Sequence, residues 1–211
     1  MKRIVPAILT DRREVFLDML DRCAGFTDYV QIDIMDGEFV PSKSIGVSDL
    51  EAVKSPVGSE AHLMVNAPLK WVDAFKRFGS RRIIFHFEIK GDHLKVIDKI
   101  RSEGMGPALA VNPLTKLDDF KFLVDKIDSV LFMSVNPGFY GAAFIPEVLE
   151  KIREFKRVFP EKEAGIDGGI KLSNVKDVLS SGLDYICVGS AIFNDGNPGK
   201  VYEQFLRLIN G

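Results

Sequence analysis

Ile4-Val5-Pro6-Ala7-Ile8-Leu9-Thr10-Asp11-Arg12 opens the chain with an apolar run that stops at a polar turn containing no glycine. A continuous apolar run of this length reads as a strand buried on both faces. The missing glycines argue against an open doubly wound sheet, whose first turn carries a Gly-rich dinucleotide fingerprint. Similar runs follow at Tyr29 to Ile34, Ala61 to Val65, Arg82 to Phe87, Pro107 to Val111, Ser129 to Val135, Ala164 to Asp167 and Asp184 to Gly189. Between them apolar residues take helical spacing, as at Val15, Leu17, Met19 and Leu20, at Trp71, Val72 and Phe75, and at Val148, Leu149, Ile152 and Phe155. Eight strand-plus-helix units share 211 residues, about 26 each, enough for a small (β/α)8 TIM barrel. No linker or change of composition divides the chain, so a single barrel domain over residues 1–211 is expected.

Composition narrows the function. Hydrophobic residues make up 46% and charged residues 27%, which excludes disordered and fibrous classes. The formal net charge of -2 supplies no excess of cations for a nucleic-acid backbone or an anionic membrane. Cys23 and Cys187 sit in apolar surroundings and read as reduced, buried thiols rather than a disulfide or zinc motif. The N-terminal apolar run is too short for a signal peptide, and no run approaches the ~18 residues of a membrane span. A soluble, cytoplasmic protein is expected, with no nucleic-acid or membrane partner.

In a (β/α)8 barrel the chemistry sits at the C-terminal ends of the strands. Alternation along Gln31-Ile32-Asp33-Ile34-Met35-Asp36-Gly37 puts Gln31, Asp33 and Met35 on one face. Polar groups facing a barrel interior are unfavourable unless paired or ligating. The third strand carries His62 and the seventh ends at Asp167, so Asp33, His62 and Asp167 are predicted to converge. Two carboxylates and an imidazole suit a divalent zinc, manganese, iron or cobalt ion. Such a site stabilises an enediolate while a carboxylate moves the proton. Asp36, just before Gly37, reads as a turn hydrogen-bonder. Three glycine-containing turns follow the last strands: Asn136-Pro137-Gly138-Phe139-Tyr140-Gly141, Asp167-Gly168-Gly169 and Gly189-Ser190-Ala191. Their position suggests a sugar-phosphate substrate.

The chain resembles the ribulose-phosphate 3-epimerase family, small (β/α)8 barrel enzymes of pentose phosphate metabolism. The resemblance rests on Pro6-Ala7-Ile8-Leu9, Asp33-Ile34-Met35-Asp36-Gly37-Glu38-Phe39-Val40-Pro41, His62-Leu63-Met64, Met133-Ser134-Val135-Asn136-Pro137-Gly138-Phe139, Phe144-Ile145-Pro146-Glu147, Asp167-Gly168-Gly169 and Gly189-Ser190-Ala191-Ile192-Phe193. It implies a metal-dependent 1,1-proton transfer at C3 of D-ribulose 5-phosphate, giving D-xylulose 5-phosphate. It assigns Asp33 and Asp167 as catalytic bases, and Asp33, His62, Asp167 and the Gln31 position as metal ligands. Met35, Met64 and Met133 match methionines that wall the intermediate. Ser190 and the amides of Gly168, Gly169 and Gly189 are the expected phosphate contacts, with Gly138 and Gly141 shaping a loop that closes over substrate. A homo-oligomer is expected on the same resemblance.

Departures from the family pattern cluster at the site. Gln31 stands where the family has histidine, Ala7 where it has serine, Tyr140 at a glycine, Ala142 at a glutamine, and Glu60 where aspartate is commoner. An amide oxygen is a harder and weaker ligand than imidazole, and a carboxylate near His62, such as Glu60, is placed to orient it. Three activities follow: a ribulose-phosphate 3-epimerase with an altered metal shell, an epimerase of another ketose phosphate such as allulose 6-phosphate, or a non-catalytic sugar-phosphate-binding barrel. His86 and Glu88 end the fourth strand within reach of the site, although a satisfied core histidine is the commoner arrangement. His93 reads as solvent-exposed, and Asp118 to Lys121 and Lys151 to Arg157 as solvated helix faces.

Overall fold

The computed structural model describes residues 2–138 and 143–210. Eight parallel strands close into a barrel in chain order: β1 (Arg3–Ile8), β2 (Tyr29–Met35), β3 (Gly58–Met64), β4 (Arg82–His86), β5 (Gly106–Val111), β6 (Ser129–Met133), β7 (Glu163–Asp167) and β8 (Tyr185–Val188). Helices cover the outside: α1 (Arg13–Ala24), α2 (Val47–Leu50), α3 (Leu69–Phe78), α4 (His93–Ser102), α5 (Leu117–Phe120), continued by a 3-10 turn over Lys121–Lys126, then α6 (Val148–Val158), α7 (Val175–Leu179), α8 (Ser190–Phe193) and α9 (Pro198–Asn210). All eight predicted strands are present. β3 starts three residues before the predicted run, because Gly58, Ser59 and Glu60 are not apolar yet pair with Tyr29, Val30 and Gln31 of β2.

Period-2 alternation divides each strand between two cores. Val30, Ile32 and Ile34 of β2, Ala61 and Leu63 of β3, and Ile83 and Phe85 of β4 face outward and pack under the helices. The interior is filled by Val5, Ala7, Ile84, Ala108, Ala110, Leu131, Met133 and Cys187 above Tyr185. Tyr185 fits because its neighbour in the ring is Gly165, where an added Cβ would lie 2.2 Å from the phenol Cζ. Arg3 and Arg82 stack on that phenol, 5.5 and 5.8 Å from its centroid. Beside it, Arg82 pairs with Glu163 at 2.5 Å and Glu60 at 3.5 Å, and burial pushes the Glu60 carboxyl up to about 7. These groups close the N-terminal end, so polar chemistry is reserved for the opposite mouth.

The helices bury the faces their spacing allows. In α6 the predicted Val148, Leu149, Ile152 and Phe155 are all buried. In α1 the buried face is Phe16, Met19, Leu20 and Cys23, and Val15 and Leu17 flank it. Cys23 and Cys187 are free and buried, as expected. Among the described residues, no helix is long and apolar enough to cross a membrane.

Three local expectations are overturned. His93 is half-buried, stacked on Phe87 with ring centroids 5.2 Å apart and its Nε2 bonded to Phe87 O at 2.6 Å. Lys151 is not on a solvated face: its ammonium donates to the carbonyls of Asn112, Pro113 and Thr115 at 2.8–2.9 Å, and burial pulls its pKa down to about 8. Glu60 does not orient His62. It lies one layer below, where its carboxylate accepts from Tyr29 Oη at 3.3 Å and pairs with Arg82.

Candidate active site

The strand register brings the predicted residues together. β2 and β3 pair so that Asp33 stands opposite His62, and β6 and β7 so that Met133 stands opposite Asp167. Asp33, His62 and Asp167 are all buried and each offers one ligand atom, with these atoms within 4.8 Å of one another. His62 Nδ1 lies 3.0 Å from Asp33 Oδ1 and 3.3 Å from Asp167 Oδ2. Two carboxylates forced this close out of water need a positive partner. The donor set, two hard oxygens and one imidazole nitrogen, fits a divalent transition-metal ion.

Electrostatics carry the same message. Burial, followed by the Asp167 charge, raises the Asp33 pKa. Burial opposes a charge on His62, but hydrogen bonds to Asp167 and Asp33 overcome it and lift the imidazole to about 9. The imidazole proton thus supplies positive charge beside the two carboxylates.

Gln31 lies beneath this floor, fully buried. Its Nε2 donates to Asp33 Oδ1 at 2.8 Å and Asp167 Oδ2 at 2.7 Å, while Oε1 accepts from Cys187 Sγ at 3.0 Å. The amide thus shows the two carboxylates its nitrogen, whereas ligation requires its oxygen. A half-turn about the terminal side-chain torsion exchanges the two.

Above the floor the cleft is walled by Ala7, Leu9, Met35, Met64 and Met133, and across it stand Gly138, Gly168, Gly169, Gly189 and Ser190. Gly168 and Gly169 have φ of +111° and +66°. A Cβ on Gly168 would strike Val135 at 2.5 Å, and one on Gly169 the Phe144 backbone at 2.9 Å, so only glycine allows this turn. Ser134 anchors it through Oγ, donating to the carbonyls of Asp167 at 3.0 Å and Gly168 at 2.6 Å. Gly141, with Tyr140 and Ala142, lies outside the described residues. Asp36 is the expected turn residue: although partial burial opposes its charge, amide donors from Phe39, Asn66 and Glu38 lower its pKa.

One arrangement was only half legible. His86 is buried, as a core histidine would be, yet its Nε2 touches His62 Nε2 at 3.0 Å. Its Nδ1 lies 3.3 Å from Glu88 Oε2. Burial drives the His86 pKa down to about 4, so this ring is neutral. The other Glu88 oxygen, Oε1, accepts from the Asn112 amide at 2.8 Å and from Thr115 Oγ1. The sequence signal is a His-x-Glu pair at a strand end, but period 2 alone says nothing of contact across to β3.

Comparison with known proteins gives consistent results. The ribulose-phosphate 3 epimerase family model matches residues 3–193. The cytoplasmic isoform of ribulose-phosphate 3-epimerase from Oryza sativa subsp. japonica is 31% identical over 216 residues, covering 99% of this chain and 95% of its own. Ribulose-phosphate 3-epimerase from Escherichia coli strain K12 is 34% identical, covering 95% and 93%. The solved structure of 3-hexulose-6-phosphate synthase from Salmonella typhimurium aligns over 99% of this chain and 98% of its own with a TM-score of 0.72. At 17% identity that likeness shows the barrel fold alone.

Proposed function

The chain belongs to the ribulose-phosphate 3-epimerase family, and we propose that it interconverts D-ribulose 5-phosphate and D-xylulose 5-phosphate by metal-assisted two-base proton transfer at C3. The observation that carries this reading is the convergence of two buried carboxylates, Asp33 and Asp167, from β2 and β7 on one histidine at the cleft floor. Inverting a carbon acid through a planar enediolate takes a base on one face and an acid on the other. In this reading Asp33 and Asp167 take those places and exchange roles in the reverse direction. Burial and the neighbouring carboxylate hold the Asp33 pKa up, which suits a group that accepts and returns a proton.

Asp33, His62 and Asp167 would hold a divalent zinc, manganese, iron or cobalt ion, with Gln31 as a fourth ligand once its oxygen faces inward. Such an ion supplies electrophilic stabilisation of the enediolate oxygens. Met35, Met64 and Met133 give the intermediate a dry, polarizable wall. The amides of Gly168, Gly169 and Gly189 with the Ser190 hydroxyl would take the phosphate, and Gly138 lines the same cleft.

Ala7 favours a second reading, because its methyl lines the cleft and offers no hydrogen bond to a sugar hydroxyl. An epimerase of a longer ketose phosphate such as allulose 6-phosphate would use the same floor. Both carboxylates at that floor speak against a purely binding barrel. On the family resemblance we extend the proposal to a single-domain, cytoplasmic homo-oligomer.

The deciding experiment pairs elemental analysis of the purified protein with solvent exchange of the C3 proton of ribulose 5-phosphate, with and without a chelator. Stoichiometric metal and chelator-sensitive exchange are expected. Turnover of allulose 6-phosphate with none of ribulose 5-phosphate would select the second reading.

A further inference from the structure

Behind His62 stand two residues outside the set that touches substrate or metal in the reaction above, the buried His86 and the half-buried Glu88, and the chain they make with His62 has a direction. His62 Nε2 and His86 Nε2 face each other at 3.0 Å. Two ring nitrogens at that distance share one proton: one donates and the other accepts. Glu88 decides which. Its carboxylate has no proton to give, so His86 Nδ1, 3.3 Å from Oε2, is the donor there. With its single ring proton on Nδ1, His86 presents a lone pair at Nε2 and accepts from His62 Nε2. One His62 proton is thereby held on Nε2, and Nδ1, 3.0 and 3.3 Å from the Asp33 and Asp167 oxygens, is the nitrogen whose proton a metal ion would replace.

We propose that Glu88, acting through His86, is a positioning residue that fixes the tautomer of His62 and so makes Nδ1 the metal-ligating nitrogen. The proposal rests on the functional reading above and adds to it residues that touch neither substrate nor metal. It also explains the construction around Glu88. The amide of Asn112 and the hydroxyl of Thr115 both donate to Oε1, leaving Oε2 free for His86. Phe39 closes the other side of His86, with ring centroids 4.8 Å apart, so the imidazole has no freedom to turn elsewhere.

The geometry makes Glu88→Gln a test of polarity rather than of packing. The backbone N–H of Asn112 cannot accept, so the new amide must keep its oxygen toward Asn112 and turn its NH2 to His86 Nδ1. His86 must then carry its proton on Nε2 and donate to His62, which moves the His62 proton to Nδ1, the place a metal needs. The chain holds three histidines, so 15N-histidine labelling resolves every ring. In zinc-loaded wild-type protein the expected tautomers are Nε2–H for His62 and Nδ1–H for His86. In Glu88→Gln the His86 proton is expected on Nε2, with Zn2+ affinity, read by competition with a chromogenic chelator, lowered about 10–100-fold. A His86 proton on Nε2 in the wild type overturns the proposal whether or not the variant folds. So does an unchanged Zn2+ affinity in a variant that melts like the wild type. Epimerisation is assayed separately: wild-type protein that shows these tautomers but does not turn over ribulose 5-phosphate would remove the proposed reaction and leave the relay supported.

Discussion

Gln31 and Cys187 meet across the β1 side of the barrel floor, the thiol donating to the amide oxygen at 3.0 Å while the amide nitrogen spans both Asp33 and Asp167. The thiol lies in full burial, which raises its pKa far above that of a free cysteine, so it stays protonated and serves as a donor. The bond holds the amide in the orientation that suits two negatively charged neighbours. An imidazole here would offer a lone pair to a metal without any rotation, which ties metal affinity to this one position.

Gln31→His is therefore expected to raise Zn2+ affinity by about tenfold or more, since imidazole is the better donor for a zinc-like ion. Chelator competition measures it. Unchanged affinity with an intact fold would place Gln31 outside the ligand set.

Replacing either base tests the two-base scheme. Asp33→Asn and Asp167→Asn keep the shape of the floor but each removes one proton carrier and one charged metal ligand. Each is expected to lower C3 epimerisation by about 10²–10⁴-fold, the usual contribution of a positioned acid or base. Isotope exchange adds detail: a variant that still washes solvent deuterium into C3 of one epimer but yields none of the other has lost one face only. Full activity in either variant would take that carboxylate out of the mechanism.

The titration of His62 gives a pH dependence with a definite sign. In metal-free protein its folded pKa is raised from 6.5 to about 9 by its carboxylate partners. That contribution to stability is fully present below pH 6.5 and is lost as pH rises through about 9. A metal ion must displace the same proton, so its apparent affinity is expected to rise by about tenfold per pH unit between pH 7 and 9. Thermal melts of chelator-treated protein against pH test the first effect, and chelator competition at several pH values tests the second. A melting temperature that climbs steadily from pH 6.5 to 9 would contradict this charge assignment.

The barrel was legible because its strands are buried on both faces, and such strands are continuous apolar runs. β3 was cut short for the opposite reason: its first three residues, Gly58-Ser59-Glu60, are not apolar, and Glu60 pairs with Arg82 beside Tyr185. The floor of the site was legible as polar residues on inward faces at strand ends. What joins them was not. Glu60 is two residues from His62 and looked like its partner, but period 2 places it a full layer lower. Glu88 reaches His62 through His86 only because β3 and β4 are neighbours. Lys151 sits in a charge-rich helix, yet its ammonium turns inward to three carbonyls that no local pattern announces.

Gly165 offers the last test, one of the barrel rather than the site. An added methyl there would lie 2.2–2.6 Å from three atoms of the Tyr185 ring, and the ring cannot retreat because Arg3 and Arg82 pack against it. Overpacking of a rigid interior costs about 1–3 kcal/mol or more. Gly165→Ala is expected to lower the melting temperature by several degrees, about 2–4 °C for each kcal/mol lost in a domain of this size. Tyr185→Leu should relieve the clash, so the double variant is expected to melt above the sum of the two single losses. The carboxylates of Asp33 and Asp167 stand above this layer, and Asp167 is two residues along the same strand from Gly165. Strain at the floor should therefore reach catalysis through β7, lowering kcat in Gly165→Ala and restoring it in the double variant. Strict additivity of the two stability losses would mean that Tyr185 and Gly165 do not share the space the barrel gives them.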